Sequence, residues 1–474
     1  MIFKRMLRKI VRIVKSISNK KEEVVVQPEV EVEVCEPFKI LLLTNRDSDN
    51  VGDQTIEACD IGLLHAVMKN LGIEKNAYKI NSKEASIVSK KYLKTKNDED
   101  LEKAENLIKE TDIIMFGGAP VFNYLYQAFY ERTAITLELA QKYNVPVIFS
   151  AIGIESYHED NEKCQRLKKT LNYDCVKMIT TRDDFESLQK YIYNKNIKIA
   201  KVADPAVFSN AVFRDIIKKE EKEQKKIGLF IIRGNAFKDN GFSIIPREAA
   251  LMWKGVVQEL QNRGYDYELI TSGHFSDEAF VDNLIKNYDF QSRKCIFNIN
   301  SPDDLLPKLS NYDAIVSCRL HPSIIAFGLE IPSIGIVWNK KVKFFYESFG
   351  YGDRVISADE INPKLIVDKI ETAITEGVTN NKEDLASVYN YLFSTFKSIL
   401  KPDEEIEPFG YDELILNIPS YKPISEKEKN EKLKRKFRRM YDIYNNLNLK
   451  NRENQKEIKI LKEKIQELEA KVNS

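Results

Sequence analysis

From Phe38 onward, apolar runs of strand length alternate with stretches of helical periodicity, and that alternation restricts the chain to parallel sheets built from βαβ units. The first run spans 39–45. A loop from Arg46 to Asp53 follows it, then a helix from about Gln54 to Asn70 that Gly72 stops. Further strands are expected at 111–116, 146–152, 178–181 and 198–202, giving a Rossmann-like domain over 38–216. The Lys- and Glu-rich stretch 217–226 reads as a linker. Beyond it, runs at 226–232, 267–271, 295–299, 313–318 and 333–338 predict a second Rossmann-like domain over 226–400. At 474 residues the chain has length for both. Two such halves facing a cleft describe an α/β, GT-B-like arrangement, and small ligands favour interdomain clefts.

The segment Asp313-Ala-Ile-Val-Ser-Cys-Arg319-Leu-His321-Pro322 stands out within this pattern. It ends a buried strand on an anion-binding guanidinium and an imidazole. If the chain stays extended there, residues i and i+2 project into one crevice, on the ligand-binding side of an open α/β sheet. Pro322 suits a first helical turn, so 322–330 reads as a helix whose amide-rich start faces the same crevice. Taken singly, Arg319 also fits a surface ion pair and His321 a helix cap. Together, at the expected ligand edge, they read as a site.

A net charge of +1 argues against duplex nucleic acid as a partner. The six cysteines lack zinc-like or disulfide-framework spacing, which fits a reducing cytoplasmic location. With four histidines and no metal-binding spacing, no protein-bound metal is expected. The ends of the chain are a different matter. On a helix, Phe3, Leu7, Ile10 and Val14 fall opposite Arg5, Arg8, Lys9 and Arg12, the pattern of an in-plane helix on an anionic membrane surface. A basic helix packed on its own protein is the alternative. Residues 22–37 then form an extended tether, so 1–37 is an anchor unit peripheral to the inner face of the membrane. At the other end, 419–474 is a charged helical tail in which Ile458, Leu461, Ile465, Leu468 and Val472 follow coiled-coil spacing, a seam for homo-oligomers or partners. A single amphipathic helix docked on the second domain would give the same spacing.

Four further motifs accompany the Arg-x-His element. Asn50-Val-Gly52-Asp53 occupies a strand-to-helix turn, where glycine permits close approach and Asp53 can cap the helix or hold a hydroxyl. Gly117-Gly118 follows a strong strand and would let a ligand approach the backbone. Arg182-Asp183 opens a helix, and Asp204-Pro205-Ala206 either aims a carboxylate at the cleft or makes an Asx turn.

In this order, with Gly153-Ile154 and Gly335-Ile-Val-Trp-Asn-Lys-Lys341, the set resembles the polysaccharide pyruvyl transferase family over roughly 38–351. That resemblance implies a GT-B-like fold and transfer of the pyruvyl group of phosphoenolpyruvate onto sugar hydroxyls of a polysaccharide or its lipid-linked precursor, usually as a ketal. It implies further that Arg319 and His321 sit at the phosphoenolpyruvate site with Lys341 nearby, and that Asn50, Gly52 and Asp53 face the acceptor. Phosphoenolpyruvate is then a substrate, and no cofactor is expected. The chemistry calls for a proton donor, for which His321 as imidazolium is the candidate, and for a base, either Asp53 or Asp204. Arg319 would pair with the donor's phosphate or carboxylate, and Lys341 would add a second charge. Two other readings use the same residues: a nucleotide-sugar glycosyltransferase, and a membrane-tethered assembly protein without catalysis.

Overall fold

The computed structural model describes residues 36–124 and 128–472, so the basic N-terminal helix expected within 1–35 lies outside the described residues. Two all-parallel sheets make up the body. The first contains β1 (Phe38–Thr44), β2 (Tyr78–Glu84), β3 (Ile113–Gly117), β4 (Val147–Ile152), β5 (Val176–Thr181) and β6 (Lys198–Lys201), in the order β2-β1-β3-β4-β5-β6. The second contains β7 (Lys226–Phe230), β8 (Asp266–Ile270), β9 (Ala314–Ser317), β10 (Ser333–Val337) and β11 (Val355–Ser357), in the order β11-β10-β9-β7-β8. Central strands such as β3 and β4 are buried along their whole length, as parallel strands covered on both faces must be.

Strand order reverses between β1 and β3 in the first sheet and between β7 and β9 in the second. Such switch points open a crevice at the carboxyl ends of the strands. The helices that shape the cleft are α1 (Val51–Asn70) after β1, α2 (Leu320–Gly328) after β9, α3 (Lys340–Ser348) after β10, α4 (Lys382–Leu400), and α5 (Glu426–Val472) at the end of the chain. Asn50 caps α1 by accepting the Gly52 amide at 3.2 Å, and Asn339 caps α3 by accepting the Lys341 amide at 3.1 Å.

Three expectations are corrected. The stretch 295–299 is not a strand; it makes an isolated bridge at Leu269 and Cys295 and then leaves the sheet. Helix α4, expected with the second domain, returns to the first: Ser387 Oγ accepts the Ala203 amide at 3.1 Å, and the Tyr389 hydroxyl accepts from Asn70 at 2.6 Å. The helix at 322–330 starts earlier, at Leu320.

One apolar cluster joins the halves. Ile40 and Leu42 of β1, Phe230 and Ile315 of the second sheet, Ile324 of α2 and Tyr389 of α4 all belong to it. The joint is tight at Gly328, where a β-carbon would lie 2.4 Å from the Val207 carbonyl oxygen. Among the described residues no helix is long and apolar enough to cross a membrane.

Candidate active site

The cleft is assembled by the loops that leave β1 and β9. Past Ser317 the chain makes one extended residue, Arg319 (φ −93°, ψ 134°), and then turns helical. His321 therefore stands in the first turn of α2, with Pro322 in the same turn, where its missing amide hydrogen costs nothing. This corrects the expectation of an extended Arg-x-His pair sharing one set of ligands. Arg319 stays within its own domain: Nε and Nη2 donate to the two carboxylate oxygens of Asp277 at 2.9 and 2.8 Å. Asp277 is fully buried and also accepts the Arg233 amide at 2.9 Å. Two of the three guanidinium nitrogens of Arg319 are thus committed, and the group is held rigidly.

His321 reaches across to the other domain. Its Nδ1 lies 3.0 Å from Asn50 Nδ2 and 3.8 Å from Asp53 Oδ1. Gly52 makes this approach feasible, because a β-carbon there would fall 2.2 Å from that of His321. The Asn50 oxygen already accepts the Gly52 amide, so its NH2 group faces the imidazole. Nδ1 must then be the acceptor, and the neutral ring carries its hydrogen on Nε2. Burial, with Arg182, Arg319 and Lys341 nearby, holds His321 well below the usual imidazole range. The expected imidazolium is therefore disfavoured, and the hydrogen bond from Asn50 fits a neutral ring. Its Nε2 is buried without a partner among the described residues, a donor awaiting an acceptor.

Asp53 behaves oppositely. It accepts from Asn45 Nδ2 at 2.8 Å, yet burial pushes its carboxyl up to about 6 against the opposing pull of the Ser48 and Asn45 hydrogen bonds and of Arg182 and Arg319. Two turns along α1, Asp60 is fully buried with both carboxylate oxygens unpartnered among the described residues. Burial, and then neighbouring Asp204, push its carboxyl well above the usual carboxylate value.

Arg182 and Asp204 form a buried ion pair, and Asp204 also accepts the Ala206 amide at 2.8 Å. The Asx turn and the cleft-facing carboxylate considered for Asp204 are thus combined in one committed group. Asp183 Oδ1 accepts from Thr181 Oγ1 at 2.9 Å and from the Ile154 amide at 3.0 Å, while Oδ2 lies 4.0 Å from Lys341 Nζ. Gly153 faces this pair: a β-carbon there would contact Asp183 Oδ2 and Lys341 Nζ, each at 3.5 Å. Arg182, Asp183, Asp204 and Lys341 border an interdomain cavity of about 230 Å³ with Leu320 and Phe345.

The structure therefore brings Asn50, Gly52, Asp53 and His321 into contact, with Arg182–Asp204 and Asp183–Lys341 beside them. Gly117 and Gly118 play another part. A β-carbon at Gly117 would meet Asp60 at 2.2 Å and one at Gly118, whose φ is +50°, would meet Ile56 at 2.1 Å, so this turn packs under α1 instead of opening to a ligand. Sequence reasoning missed Asp60 and Asp277. The i, i+7 spacing of Asp53 and Asp60 was the available signal, since it sets both carboxyls on one helix face.

Helix α5 bridges the loop before α1 and the second domain. Arg439 Nε donates to Asp49 at 3.1 Å in the loop before α1, and Lys436 Nζ donates to Glu278 and Asn300 of the second domain, each at 3.1 Å.

Comparison with solved structures agrees with the topology. The chain is similar to a putative UDP-N-acetylglucosamine 2-epimerase from Listeria monocytogenes, with 11% identity, 79% of this chain and 99% of that one covered, and a TM-score of 0.51. A second UDP-N-acetylglucosamine 2-epimerase matches at 10% identity, again over 79% and 99%, with a TM-score of 0.51. At such identities the likeness concerns the fold alone, and it defines the class: two Rossmann-like domains in the GT-B arrangement. No curated protein sequence matches the chain. The model of the polysaccharide pyruvyl transferase family, however, matches residues 63–340. The chain belongs to that family and is a transferase. The matched span contains Arg182, Asp183, Asp204, Arg319 and His321; Asn50 to Asp53 precede it and Lys341 follows it directly.

Proposed function

We propose that the protein moves the pyruvyl group of phosphoenolpyruvate onto hydroxyls of a sugar in a surface polysaccharide or its lipid-linked precursor, forming a ketal. The observation that carries this reading is the convergence of Arg182, Arg319 and Lys341, each beside a carboxylate of its own, around a buried His321 whose outer nitrogen lacks a partner among the described residues. A small, multiply charged anion is the ligand such a site favours.

Its phosphate and carboxylate would engage the three cations. That anion offsets the charges that keep His321 neutral, so the ring takes up a proton once the donor is bound and passes it to the methylene carbon. One sugar hydroxyl bonds to the adjacent carbon and gives its proton to Asp53. The C–O bond to phosphate then breaks with its electron pair going to the phosphate, a second hydroxyl closes the ketal, and its proton passes to the departing inorganic phosphate. Asp53 suits the base role better than Asp204, whose oxygens are committed to Arg182 and to the Ala206 amide.

Binding is tested directly by thermal unfolding. Phosphoenolpyruvate should raise the midpoint, as a ligand of the native state must. Stabilisation by UDP-sugars with none by phosphoenolpyruvate would favour the glycosyltransferase reading instead. The basic segment 1–20 would hold the enzyme at an anionic membrane surface, beside lipid-linked acceptors. Removing it should abolish binding to anionic vesicles; undiminished binding would overturn the anchor.

A further inference from the structure

Helix α5 runs for 47 residues, about 70 Å at ~1.5 Å per residue, and only its first part touches the body. Lys432, Lys436 and Arg439 face inward there. Farther along, exposed apolar side chains occupy heptad positions a and d in two stretches, Tyr444 (66% exposed) and Leu447 (63%), then Ile458 (51%), Leu461 (50%), Ile465 (53%) and Leu468 (61%), separated by one polar heptad with Asn451 at a and Asn454 at d. Exposed apolar side chains repeating at a and d mark a stripe of surface that a partner helix can cover.

We propose that this stripe is the seam of a parallel, in-register homodimer. Three features select a second copy of the same chain. The last heptads place Ile458 and Ile465 at a and Leu461 and Leu468 at d, the β-branched-a, leucine-d arrangement of parallel two-stranded coils. Asn451 falls at an a position, where a buried amide pair fixes register and strand number. The flanking charges complement each other between parallel copies: Glu457 at g faces Lys462 at e of the partner helix, and Lys464 at g faces Glu469 at e. Because the same helix is tied to both lips of the cleft, the dimer carries two active sites at one end of a shared coil. The inference is independent of the reaction proposed above.

Light scattering on the full chain should give twice the mass of one chain. The variant Leu461→Asp/Ile465→Asp should be monomeric with an unchanged unfolding midpoint, since both residues are exposed and away from the body. Glu457→Lys should weaken the dimer and Lys462→Glu added to it should restore it. In a Cys35→Ser background, Leu461→Cys should form an interchain disulfide on mild oxidation, because identical d positions meet only in a parallel pair; the five other cysteines are buried. A monomeric wild type, a higher oligomer, a dimer that survives Leu461→Asp/Ile465→Asp, or a dimer that fails to cross-link would each overturn the proposal.

Discussion

At the scale of residues, the site depends on side chains held away from their ordinary protonation states. His321 is neutral because burial and three cations oppose its charge; Asp53 titrates at about 6 because burial opposes its own. If Asp53 is the base, kcat/KM should rise with pH through about 6 and then level, and the limb should vanish with the activity in Asp53→Asn. The stability effect has the opposite sense. A carboxyl whose folded value lies above its unfolded value of 3.8 contributes fully at low pH, and that contribution is lost as pH rises through about 6. Asp53→Asn should therefore melt higher than the wild type at pH 7, by on the order of 2 kcal/mol in unfolding free energy, while losing turnover. His321→Ala should cost roughly 10² to 10⁴ in kcat without unfolding the protein. Gly52→Ala should lose activity and about 1–3 kcal/mol of stability, because its methyl group must displace His321 and with it the contact between domains.

At the scale of elements, most of the sheet framework was legible because central parallel strands are continuous apolar runs that only burial on both faces explains. The edges were not. Strand β2, with the sequence Tyr-Lys-Ile-Asn-Ser-Lys-Glu, is half polar since one of its sides meets water, and β11 is three residues long. The opposite error at 295–299 has the same origin: an apolar run beside edge strand β8 pairs once and then turns away, with Asn298 at φ 65°. At the site, the sequence pointed to His321, Arg319 and the Asn50–Asp53 turn but not to their partners. Asp277 and Asp60 lie within helices, where a carboxylate ordinarily reads as a solvated face; only the fold reveals that these two are buried. Helix α5 adds a prediction of its own. Arg439→Ala should leave the unfolding midpoint near that of the wild type, since its pair with Asp49 is partly solvated. Amide hydrogen exchange in residues 46–50 should nevertheless accelerate; unchanged exchange would mean that α5 does not restrain that loop.

At the scale of the whole molecule, two sheets with facing switch points share one apolar core, and their loops meet where His321 touches Asn50. Family membership and a titratable carboxyl beside a buried imidazole, with Arg182, Arg319 and Lys341 around them, support the proposed pyruvyl transfer. The most direct test is to incubate the purified chain with phosphoenolpyruvate and candidate lipid-linked glycans, following phosphate release and product mass together. Pyruvyl transfer predicts one phosphate released for each acceptor that gains a single ketal-linked pyruvyl group, and neither event in Asp53→Asn. Glycan products that gain a hexose from a nucleotide sugar while phosphoenolpyruvate remains intact would contradict it.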